Sequence, residues 1–130
     1  MDLDVKNWLA MVDYDVKTAA QMLKTGRYVY VVFMCHLAIE KVLKAGVCRK
    51  VQRVPPKTHD LIYLISLIEI NMPDDLLNFI GMINNAAVVT RYPEDLPKLV
   101  SSYPKSIAQK YLDQTRRVIK WIKKNLELKK

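Results

Sequence analysis

Apolar residues recur along this chain at helical spacing, and little interrupts them. The clearest stripe runs from about Lys105 to Leu126, through Ala108, Tyr111, Leu112, Thr115, Val118, Ile119, Ile122 and Leu126. Offsets of three and four residues place such a set on one face of a helix. Asp4 to Thr25 repeats the pattern with Val5, Trp8, Leu9, Val12, Val16, Ala19, Ala20 and Leu23; Asp2 or Asp4 can cap it, and Gly26 stands where helices commonly end. Three glycines and six prolines in 130 residues are too few breakers for the many short strands of a sandwich or barrel.

The second segment opens like a strand, since Tyr28 to Phe33 is rich in β-branched and aromatic residues. It then continues without a breaker to Val47, and that length predicts one long, mostly buried helix. A basic connector, Arg49 to Lys57, stops at Pro55-Pro56. Thr58 is the expected N-cap of a third helix that turns Leu61, Ile62, Leu64, Ile65 and Ile68 inward. Asn71-Met72-Pro73 breaks it, and Asp74-Asp75 suit the positive end of a fourth helix with Leu76, Leu77, Ile80, Ile83, Ala87 and Val88 inward. Arg91 to Tyr103, with Pro93, Pro97 and the following Pro104, reads as a loop or extended crossing segment. The expectation is all-α: an up-and-down antiparallel four-helix bundle with an extra short helix, residues 1–130 forming a single domain.

No run approaches the ~18 apolar residues of a membrane span. The start, Met1-Asp2-Leu3-Asp4, is acidic where a signal peptide is basic. Cys35 and Cys48, expected on one helix ~20 Å apart, lie too far from each other to bond. Free thiols without an export signal lead to an expected cytoplasmic location.

The net charge is +8, from 21 Lys+Arg against 13 Asp+Glu, and it is localised. Residues 41–57 carry six basic groups (Lys41, Lys44, Arg49, Lys50, Arg53, Lys57) and no acid, and residues 105–130 carry nine against two. Cations near helix C-termini complement the dipole, which accounts for Lys123 and Lys124 but less well for the Arg49–Lys57 run beyond its helix. An excess of this kind points to acidic partners. Without a Gly-rich phosphate loop or RNA-binding aromatic signatures, sequence-specific nucleic-acid recognition has no support.

The second helix is apolar nearly all round, yet His36, Glu40 and Lys44 recur every four residues on one stripe. Three readings stand: a solvated face, a buried polar network that sets helix register, or a polar groove for a ligand's phosphate or base. Cys35, His36 and His59 lack zinc-site spacing, so no metal and no cofactor is expected. Arg53 and His59 have five residues between them, a pairing that could serve metal-free RNA cleavage with His as acid–base and Arg stabilising the phosphorane.

Together these residues resemble the HEPN domain family. The matching stretches are Trp8-Leu9 with Asp13, Asp15, Ala19 and Ala20; Gly26-Arg27-Tyr28; Cys35-His36-Leu37-Ala38-Ile39-Glu40-Lys41-Val42-Leu43-Lys44-Ala45; Pro56-Lys57-Thr58-His59-Asp60-Leu61; and Thr90-Arg91-Tyr92-Pro93-Glu94. The resemblance implies a helical bundle, commonly homodimeric, often encoded beside a minimal nucleotidyltransferase as its nucleotide- or substrate-binding partner in toxin–antitoxin-like pairs. Some members are instead metal-independent ribonucleases with an Arg-x4–6-His motif. Here Arg91 is followed by Tyr-Pro-Glu-Asp-Leu-Pro-Lys without a histidine, and Arg53 and His59 precede the third helix. The leading expectation is a non-catalytic, homodimeric protein that binds a nucleotide or a nucleotidyltransferase. Lys44, Arg91 and Lys41 are expected on phosphate, His36 and His59 near base or sugar, and Glu40 positions a cation. The alternatives are an endoribonuclease using Arg53 and His59, with RNA as substrate, and a purely structural partner whose polar stripe is a packing network.

Overall fold

A computed structural model of the chain describes residues 2–129, apart from the side chains of Asp2, Leu3 and Arg91. Among the described residues every regular element is helical. The order is α1 (Asp2–Lys24), α2 (Tyr28–Gly46), a π-helical turn (Val47–Val51), α3 (Leu61–Ile68), α4 (Asp74–Arg91), α5 (Leu96–Ser102) and α6 (Lys105–Asn125). The strand-like Tyr28–Phe33 is helical, because its β-branched side chains fill a core on nearly all sides rather than the face of a sheet.

Gly26, with φ at 82°, ends α1. The Arg27 N–H reaches the Met22 carbonyl at 2.8 Å and the Gly26 N–H reaches that of Leu23 at 3.4 Å, a Schellman closure that needs a left-handed residue. The connection is so short that α2 returns directly against α1. Helix α2 is central: it packs against α1, α3, α4, α5 and α6. Around it Leu9 and Val12 of α1, Ile39 and Leu43 of α2, Leu61 and Leu64 of α3, Ile80 and Ile83 of α4, and Leu112 and Ile122 of α6 are fully buried. At Gly46 a Cβ would lie 2.8 Å from Leu126 Cδ1 and 3.0 Å from Ile68 Cδ1, so a residue without a side chain lets these chains close over the end of α2. The following π turn closes with the Gln52 N–H on the Val47 carbonyl at 3.1 Å.

Three local expectations are corrected. Residues 91–103 hold the short helix α5 rather than an extended crossing. Asp95 caps it, accepting from the Lys98 N–H at 3.2 Å, and Pro97 falls in the first turn, where its missing N–H is harmless. The N-cap of α3 is Asp60, not Thr58: Asp60 Oδ1 accepts from the N–H groups of Ile62 and Tyr63 at 3.1 and 3.3 Å, while Thr58 Oγ1 accepts from Asp60 N–H at 3.1 Å. Ile62, Leu77 and Val88 face outward, and Phe79 takes an inward place in α4.

Cys35 and Cys48 are free and buried. Burial pushes the Cys35 thiol from 9.0 up to about 12. Burial, reinforced by Tyr103, takes Tyr111 from 10.0 to about 12. The unfolded chain therefore releases these protons first as pH rises. Their contribution to stability is whole below pH 9 and declines progressively towards pH 12. Urea midpoints taken at pH 8, 10 and 11 should fall in that order, with a shallower decline in Cys35→Ala; a midpoint flat over this range would contradict the assignment.

Candidate functional site

Because α2 touches every other helix, the polar stripe on it cannot be solvated, and its groups find partners inside the fold. Glu40 is buried and uses both carboxylate oxygens: Oε2 accepts from Lys44 Nζ at 3.0 Å, and Oε1 lies 2.8 Å from His59 Nδ1. A carboxylate oxygen accepts, so Nδ1 of His59 carries the proton and Nε2 is left for another partner. The Lys44 ammonium also stands 5.7 Å from the Trp8 ring centroid, where the face of the indole attracts a cation. One helical step away, Lys41 Nζ pairs with the buried Asp15 of α1 at 2.6 Å.

His59 anchors one end of its ring on Glu40 while 63% of its side chain is exposed. It therefore joins a buried charge to a surface cleft of about 410 Å³ between α2, the α2–α3 connector and α4. His36, His59, Asp60, Asn84, Asn85 and Tyr92 supply its polar walls. Asn84 holds the connector in place: its Oδ1 accepts from Leu61 N–H at 2.9 Å and its Nδ2 donates to Asp60 Oδ1 at 3.3 Å. One α4 amide thus ties down the first turn of α3, and with it the residue next to His59.

Glu40 and Lys44 are brought together with His59 as one network, while His36, buried on the same stripe, lines the cleft. Lys41 and Lys44 direct their charge inward, to Asp15 and Glu40. Arg91 ends α4, next to Tyr92 on the cleft wall, and its side chain lies outside the described residues. Arg53 is exposed on the connector and is not among the walls of the cleft. The six-cation run of residues 41–57 therefore divides, with Lys41 and Lys44 turned inward and Arg49, Lys50, Arg53 and Lys57 exposed. Lys50 Nζ donates to the Glu69 carbonyl at 3.2 Å. Asn84, Asn85, Asp60 and Tyr92 were not anticipated as site residues. The available signal was Asn84-Asn85 in mid-helix, where a weak helix former needs a separate reason to be present. Among the described residues, no group of three or more His, Cys, Asp or Glu is placed to hold a metal ion. No helix among them is long and apolar enough to cross a membrane.

A helical bundle with a buried charge network opening on an inter-helix cleft is the class of protein these features define. The HEPN domain family model matches residues 5–126. The chain belongs to the HEPN domain family. Its fold is similar to the crystal structure of TT1696 from Thermus thermophilus, with a TM-score of 0.78 and 17% identity over 92% of this chain and 96% of that one. It is also similar to ST0689, an archaeal HEPN homologue, with a TM-score of 0.74 and 20% identity over 94% and 97% of the two chains. No match is found among curated proteins.

Removing the Glu40 carboxylate leaves the Lys44 ammonium buried without its counter-ion. Glu40→Ala should lower unfolding free energy by roughly 3–5 kcal/mol in urea titrations, whereas Glu40→Ala with Lys44→Met should regain most of it. Equal stability of Glu40→Ala and wild type would show that the pair is not desolvated.

Proposed function

We propose that this HEPN protein is a non-catalytic binding subunit whose cleft takes a nucleotide and which partners a minimal nucleotidyltransferase in a toxin–antitoxin-like pair. The observation that carries the reading is the cleft itself. Its volume falls in the range of small-molecule sites, and its walls offer two amides, two imidazoles and a phenol, the groups that hydrogen-bond a base and a sugar. In this reading His36 and His59 face base or sugar, and Glu40 fixes His59. Lys41 and Lys44 hold the shape of α2 from within, and phosphate falls to Arg91, beside the cleft.

A homodimer is part of the same proposal. Val88, Val89, Tyr92, Leu96 and Val100 are each at least half exposed and follow one another along the end of α4 and α5. Val88, Val89 and Tyr92 line one groove against α5 and Leu96 and Val100 a second against the start of α2, and exposed apolar side chains along both support an association surface. Val88 and Tyr92 also line the cleft, so a second copy seated here would border the ligand. Sedimentation velocity should give a dimer, and Val100→Asp should shift it towards monomer.

Isothermal titration with ATP, GTP and short oligonucleotides at low salt tests nucleotide binding. His59→Ala or Asn85→Ala should weaken the bound nucleotide by about tenfold, the equivalent of roughly one hydrogen bond. Absence of heat for every ligand would remove the nucleotide from the reading.

One observation favours the second reading, a metal-independent endoribonuclease using Arg53 and His59. A carboxylate on Nδ1 of an imidazole is the arrangement that orients a general base. Single-stranded RNA incubated with the protein in EDTA separates the two readings, since only this one requires cleavage that His59→Ala abolishes.

A further inference from the structure

A second groove, of about 540 Å³, runs between α1 and α6 and shares no wall with the cleft. Lys17 of α1, Arg116, Lys120 and Lys124 of α6, and Lys129 beyond it are exposed along its rim. Val16 is half-buried at its base, over the buried side chains of Val12, Ile119 and Leu128. Lys123 Nζ pairs with Asp13 Oδ1 across it at 3.7 Å.

Helix-dipole compensation explains cations in the last turn of α6, where Lys123 and Lys124 lie, but not Arg116 and Lys120 in mid-helix. Arg116, Lys120 and Lys124 also stand four residues apart, and like charges at that spacing oppose helix formation. An anionic partner laid along the ladder would relieve this repulsion. Each step rises ~6 Å, the same as between carboxylates four residues apart on a second helix lying alongside. The apolar surface a partner can reach is Val16 together with the aliphatic stems of the surrounding cations. No aromatic ring lines the groove to stack a base, which single-stranded nucleic-acid sites use.

We propose that the α1–α6 groove docks an acidic amphipathic helix of a protein partner, its apolar stripe on Val16 and the lysine stems and its carboxylates on the Arg116–Lys120–Lys124 ladder. This rests on the partner-subunit reading above and names the chemistry that such a partner presents.

The test is fluorescence anisotropy with a labelled 21-residue synthetic peptide carrying Leu at i, i+3, i+4, i+7 spacing and Glu along both flanks. The comparison probes are a peptide of the same composition with its periodicity scrambled, and a 20-nucleotide oligouridylate. The periodic peptide should bind at least tenfold more tightly than either. Lys120→Glu with Lys124→Glu should weaken it at least tenfold and Lys17→Glu by a smaller factor, with helicity by circular dichroism unchanged. Equal binding of the scrambled peptide, indifference to charge reversal, or tighter binding of oligouridylate would each overturn the proposal. Nucleotide titration at the cleft reports on a different face, so failure of one reading is distinguishable from failure of the other.

Discussion

The carboxylate of Glu40 is the interaction on which the rest of the arrangement depends. It sits on a helix with helical neighbours on every side, where an unpaired charge is far too costly to keep. Its two oxygens recruit Lys44 from one turn further along α2 and His59 from the connector before α3. The first partner is local and would form in an isolated helix. The second is nineteen residues away and forms only when the connector is folded over α2. Burial of one acidic group thus fixes where the α2–α3 connector must lie, and the connector forms part of the cleft.

The same logic extends to the neighbouring helices. Asp15 of α1 answers Lys41, and the ring of Trp8 covers the Lys44 ammonium, so α1 registers against α2 through charge as well as apolar packing. Asn84 of α4 holds both the Asp60 cap and the Leu61 amide, so the start of α3 and the middle of α4 move together. Polar groups inside a core specify alignment more than they add stability. Here they align α1 to α4 with one another and set α2, the connector and α4 around one cleft.

Much of the fold was legible. The stripe of α6 is buried as its spacing requires, because a helix with so regular an apolar face has one stable orientation against a core. The polar stripe of α2 was legible as an anomaly, since charged residues at four-residue spacing stand out in an apolar run. Helix α5 was missed because prolines dominated the reading of its segment, although Pro97 lies where the first turn tolerates it and Asp95 supplies the cap. Asn84 was missed because its role is a contact across 23 residues with a backbone amide that any sequence would provide. The charge of residues 41–57 is not all surface, since Glu40, one residue before that window, neutralises Lys44, and Asp15 of α1 neutralises Lys41.

By itself, the sequence determined the long helices, most of their inward faces and the residues that carry charge, because these follow from spacing along one chain and from the 3.6-residue turn. Only the tertiary structure decided which charges face each other between elements. Lys44 and Lys41 point into the protein, His59 stands between Glu40 and solvent, and the cations of α6 line a groove with Lys17 of α1. Pairing between helices depends on their relative rotation and register. Those are set by the packing of the whole core, and no local pattern encodes them.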